Sequence, residues 1–105
     1  MFLQPKKIIL PTLIQKYKIK DITPNQSNNN QELIDQLKID IKNNGLLCPL
    51  VVNKGILIDG HHRYEAIKDF CTETLVYVVQ NKEIENILSK INSYIWFDYL
   101  GTLNG

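Results

Sequence analysis

A compact α+β domain, with a small mixed sheet and helices packed on it, is the fold these 105 residues predict. Three observations carry that reading. Two stretches, 29–44 and 83–93, repeat apolar residues at helical spacing. Between them, 49–58 reads as an apolar run, a tight turn and a second apolar run. A further β-branched run at 75–79 follows a helical segment, so hairpin and crossover links are both implied.

Taken in order, Lys7-Ile8-Ile9-Leu10 reads as a short edge strand that Pro11 ends. From Lys16 to Thr23, Tyr17, Ile19 and Ile22 fall between Lys16, Lys18, Lys20 and Asp21, the pattern of a half-buried strand. Residues 24–30 form a polar loop, and Asn29 or Asn30 can cap the helix that follows. In that helix Leu33, Ile34, Leu37 and Ile41 share one face, and Gly45 supplies a left-handed end. Pro49-Leu50-Val51-Val52 and Ile56-Leu57-Ile58 are strands joined through Asn53-Lys54-Gly55. Leu75 to Val79 is a buried strand. Glu83 to Ser93 is the last helix, with Ile84, Ile87, Leu88 and Ile91 on one face. Tyr94 to Phe97 either extend it to 97 or fold back on the domain.

The length fits one domain with one modest core, centred on about residues 17–80. Twelve basic against eleven acidic residues give a net charge of +1, which is not the footprint of a strong non-specific DNA binder. Two cysteines, Cys48 and Cys71, are too few for a disulfide framework and read as reduced thiols without an activating neighbour. No signal-peptide pattern and no membrane-length apolar run is present, so the expectation is a cytoplasmic (or organelle-stroma) protein with no membrane partner.

The stretch that promises chemistry is Asp59-Gly60-His61-His62-Arg63-Tyr64-Glu65-Ala66. A strand, a glycine turn and a helix start in that order expose backbone N–H groups to an anion. Arg63 offers a planar fork suited to phosphate oxygens, or else it is a surface residue paired with Glu65 or Asp69. His62 either donates to phosphate or caps the local backbone. His61 is a hydrogen-bond donor and acid/base candidate, or a loop histidine beside solvent. Asp59 either holds Mg²⁺ carried by a nucleotide or accepts N–H bonds and fixes the Gly60 turn. A zinc site is not expected, because further ligands at suitable spacing are missing. Arg63→Ala, on this reading, weakens phosphate binding by about 1.5–3 kcal/mol and leaves the fold intact.

The helix, then Gly45-Leu46-Leu47-Cys48-Pro49-Leu50-Val51-Val52, the hairpin and Asp59–Ala66 together resemble the ParB/sulfiredoxin superfamily over roughly residues 17–80. Its two signatures are Gly, a few variable residues, Pro and an apolar run, and Gly-x-x-Arg-x-x-Ala. The Asp59-Gly60-His61-His62-Arg63 loop looks most like the free serine kinase branch. That resemblance implies ATP or ADP as ligand with Mg²⁺, and a phosphoryl transfer to a small hydroxyl compound in which Asp59 and His61 are the catalytic candidates. Gly60, His61, His62 and Arg63 are then the nucleotide contacts. The partition-protein branch implies CTP instead, and a non-catalytic module for DNA or a protein partner. The sulfiredoxin branch implies a homologue without its reductase cysteine, since His61 stands there. Where the kinase branch has Pro-His-Glu, this chain has Pro24-Asn25-Gln26, and a carboxamide cannot take a hydroxyl proton as a carboxylate does. Where partition proteins often have Ser before the Ile that ends the first helix, this chain has Asp40-Ile41. The chain ends about where these families continue into DNA-binding or substrate domains.

Overall fold

A computed structural model of the chain describes residues 1–26 and 30–91. It contains β1 (Phe2–Leu3), β2 (Ile14–Lys18), β3 (Thr23–Pro24), α1 (Gln31–Asn44), β4 (Leu50–Asn53), β5 (Ile56–Asp59), α2 (His61–Ile67) and β6 (Glu73–Val78), followed by a helix α3 over 84–91. Single 3-10 turns lie at Pro11–Leu13, Ile19–Asp21 and Asn81–Glu83. The predicted residues 92–97 lie outside the described residues, as does Asn29.

The strands form one mixed sheet. β4 and β5 are an antiparallel hairpin, and β4 pairs in parallel with β6 through Leu50–Val76, Val51–Tyr77 and Val52–Val78. β2 runs antiparallel along the other edge of β6, from Ile14–Tyr77 to Lys18–Glu73. β1 continues the line of β4 by pairing with Glu73 and Thr74, and β3 adds two residues beside β5. Lys54 and Gly55 both have positive φ, 52° and 81°, which closes the hairpin in the primed geometry that matches strand twist.

Alternation along the central strands divides the core in two. Leu50, Val52, Leu57 and Val76 face α1 and α2, where they meet Ile34, Ile41, Ala66 and Ile67. Val51, Ile58 and Tyr77 face the other way, toward Ile87 and Ile91 of α3 and the segment Ile8–Leu10. Because both faces are covered, β4 is buried along its whole length, which is why it reads as a continuous apolar run. Asn30 accepts the Leu33 N–H through its side chain and Gly45 ends α1, so both predicted ends hold in position, but at φ 85° and ψ 170° Gly45 is extended with positive φ and not left-handed helical.

Two expectations are corrected. Residues 7–10 form no strand: Lys6 and Lys7 donate to the carbonyls of Leu46 and Leu47, and Ile8–Leu10 cover the second core. Pro11 opens a 3-10 turn, its fixed φ being suited to a first turn position. The strand predicted over 16–23 starts at Ile14 and breaks at Ile19, whose N–H turns to the Thr72 carbonyl and starts a 3-10 turn.

Among the buried polar groups, Asn53 Nδ2 donates to the Val79 carbonyl at 2.7 Å and ties the hairpin to the end of β6. Asn53→Ala leaves that carbonyl unpaired. The expected loss is about 1–3 kcal/mol, read from urea unfolding with an unchanged slope.

Candidate functional site

The site is built around the end of β5. Antiparallel pairing places Val52 opposite Leu57 but Val51 opposite Asp59, so one extra residue is inserted in β5. Such a bulge re-aims the residues that follow it. Here it brings Asp59 to the mouth of the turn. Gly60 then takes φ 96° and ψ 30°, a left-handed conformation, and α2 starts at His61. A Cβ on Gly60 would lie 2.7 Å from Leu50 Cδ2 and 3.0 Å from Arg63 Nη2. The glycine is therefore required twice, by its φ and by the space above it.

Those distances also place the Arg63 guanidinium directly over the turn. Nη1 donates to the Cys48 carbonyl at 2.9 Å and to the Pro49 carbonyl at 3.1 Å. Nη2 faces Asp59 Oδ2 at 3.6 Å, and the Arg63 side chain is 18% exposed. The arginine of one sequence signature thus binds the backbone of the other. The alternative partners named from the sequence are taken elsewhere: Glu65 pairs with Lys68, and Asp69 with Lys38.

The loop at residues 24–26 closes the other side. His61 Nε2 lies 2.9 Å from Asn25 Oδ1. An amide oxygen only accepts, so the ring carries its proton on Nε2 and presents Nδ1 as an acceptor. Burial holds the His61 pKa below its usual value of 6.5; Asp59 and Glu65 pull it up, and His62 pushes it down. The ring is consequently neutral at pH 7. Because the unfolded chain binds this proton more readily, stability falls as pH drops below 6.5 and levels off below the folded-state pKa. Thermal melts across pH 7.5–5 should show that fall in the wild type and a flatter profile in His61→Gln.

The structure brings Asp59, Gly60, His61, His62 and Arg63 together, His62 being half-buried in the first turn of α2. With seven residues, α2 makes about two turns, and its dipole is a minor source of positive field beside the guanidinium. Asp40 is exposed and accepts from Asn44 Nδ2 on its own helix. Sequence reasoning missed the two carbonyl contacts of Arg63 and the Asn25–His61 bond. The match of Pro24-Asn25-Gln26 to a loop of the kinase branch was the available signal for the second.

Neither cysteine forms a disulfide; both are buried, and burial raises the Cys71 pKa. Among the described residues, no group of three or more His, Cys, Asp or Glu is placed to hold a metal ion. No helix among them is long and apolar enough to cross a membrane. An open hollow of about 580 Å³, whose lining includes none of residues 59–63, lies between Lys18, Ile19, Lys20, Tyr64, Lys68 and Thr72.

No family model and no curated relative matches the chain. Among solved structures, it is similar to the C2221 form of a Pnob8-like ParB-N domain, at 19% identity and a TM-score of 0.49. The match covers 80% of this chain, which spans 36% of the length of that one.

Proposed function

We propose that this chain is a ParB-like domain that binds the phosphate groups of a nucleotide at the Asp59–Arg63 turn. The observation that carries the reading is the fixed guanidinium over Gly60. Two carbonyls orient Arg63 before any ligand arrives, so little side-chain entropy remains to be lost on binding. His62 stands beside it, and neutral His61 offers one acceptor to a ligand hydroxyl or amine.

ATP and ADP are the first ligands to test, with CTP as the partition-protein alternative. Mg²⁺ belongs with the nucleotide, since it favours phosphate oxygens plus one or two carboxylates. Asp59 is the residue that would meet it, once released from Arg63. Phosphoryl transfer to a small hydroxyl compound would require a base. In the arrangement described, Asn25 of the 24–26 loop reaches His61, and Asp59 is ion-paired. That geometry favours binding over turnover.

Isothermal titration with ATP, ADP and CTP, with and without Mg²⁺, tests the reading. Saturable binding of one of them at a single site supports it; heat no greater than dilution for all three removes it. A phosphorylated hydroxyl compound after incubation with ATP or ADP would restore catalysis. Duplex DNA retention that disappears with modest salt, without nucleotide binding, would favour a DNA module instead.

A further inference from the structure

We infer that Asp59 acts as an internal counter-anion that makes the turn select multiply charged ligands, an inference that rests on the phosphate-binding reading above. Arg63 presents two edges with different commitments. Nη1 is fixed on the Cys48 and Pro49 carbonyls at 2.9 and 3.1 Å. Nη2 is the donor that lies over Gly60, and the Asp59 carboxylate holds it at 3.6 Å.

That second contact is looser than a charge-assisted hydrogen bond, which closes to about 2.7–2.9 Å. Asp59 is also 35% exposed, so water can solvate its charge when it turns away. A phosphate oxygen that reaches the same Nη2 comes close to the Asp59 carboxylate, and the two anions repel each other if both remain. A singly charged anion gains no more from Arg63 than Asp59 already provides. A pyrophosphate group, with more charge and several acceptor oxygens, can displace it. The bulge at the end of β5 holds Asp59 in this competing position. The ligand class is therefore a di- or triphosphate, and Asp59 sets specificity by opposing weaker anions.

The test is titration of pyrophosphate and of acetate into the full chain, for the wild type, Asp59→Asn, Arg63→Gln and the double variant, each checked for folding by its thermal melt. Asp59→Asn should bind pyrophosphate roughly threefold to tenfold tighter, the scale of relieving one partly exposed ion pair and its repulsion. It should also gain measurable acetate binding. Arg63→Gln should lose binding, and the double variant should bind no better than Arg63→Gln. Unchanged or weaker pyrophosphate binding in Asp59→Asn overturns the inference, while wild-type binding that depends on Arg63 leaves the phosphate reading standing. An equal gain in the Arg63→Gln background also overturns it, because charge removal would then act without the guanidinium. Absence of pyrophosphate binding in every variant overturns both.

Discussion

Replacing Arg63 with alanine should lower stability by about 2–3 kcal/mol and abolish phosphate binding together. For a domain of this size that is a fall of roughly 10–20 °C in the thermal midpoint. The sequence alone predicts binding weakened by about 1.5–3 kcal/mol with the fold intact. The structure revises it, because the guanidinium donates to the Cys48 and Pro49 carbonyls and balances Asp59. Removing it leaves two part-buried acceptors short of a donor and a carboxylate without its counter-charge. Arg63→Lys keeps the charge but has one nitrogen where arginine uses Nη1 for the carbonyls and Nη2 for Asp59, so it should fall between the two. Differential scanning calorimetry beside nucleotide titration checks this. An alanine variant that melts with the wild type would show that these contacts carry no weight in solution.

Gly60→Ala should be comparably damaging, by about 2–5 kcal/mol. A left-handed conformation strains any side chain by about 1–2 kcal/mol, and overpacking against a rigid neighbour adds about 1–3 kcal/mol. The neighbour here is Leu50 Cδ2, 2.7 Å from the new methyl, on a residue that is itself fully buried. The methyl also approaches Arg63 Nη2, so the guanidinium must shift. Gly60→Ala combined with Leu50→Val separates the contributions. Partial recovery of stability identifies the clash with Leu50, and no recovery identifies backbone strain. Nucleotide affinity should stay reduced in both, since Arg63 is displaced in either case.

How much of this was legible beforehand varied with the physics behind each element. α1 could be read to within a residue because its signals are local: Asn30 caps its own helix, Gly45 ends it, and Ile34 and Ile41 recur at helical spacing. The hairpin was legible for the same reason, Gly55 supplying the positive φ. β1 was not, because Phe2–Leu3 is too short to alternate and exists through pairing with Glu73 and Thr74. Residues 7–10 were misread because an apolar run can cover a core as well as line a sheet edge. At the site, the types and order of Asp59 to Arg63 were visible, but their partners were not. Arg63 reaches backbone carbonyls fourteen and fifteen positions earlier in the chain, and backbone acceptors leave no mark in side-chain identity.

The most direct measurement is an amide chemical-shift titration of the full chain with ADP or pyrophosphate. If the guanidinium-covered turn is the binding place, saturable shifts should cluster at Gly60, His61, His62 and Arg63, with smaller ones at Asn25 and Cys48. Saturable shifts confined to the hollow around Lys18, Lys20 and Lys68, or none at millimolar ligand, would contradict it.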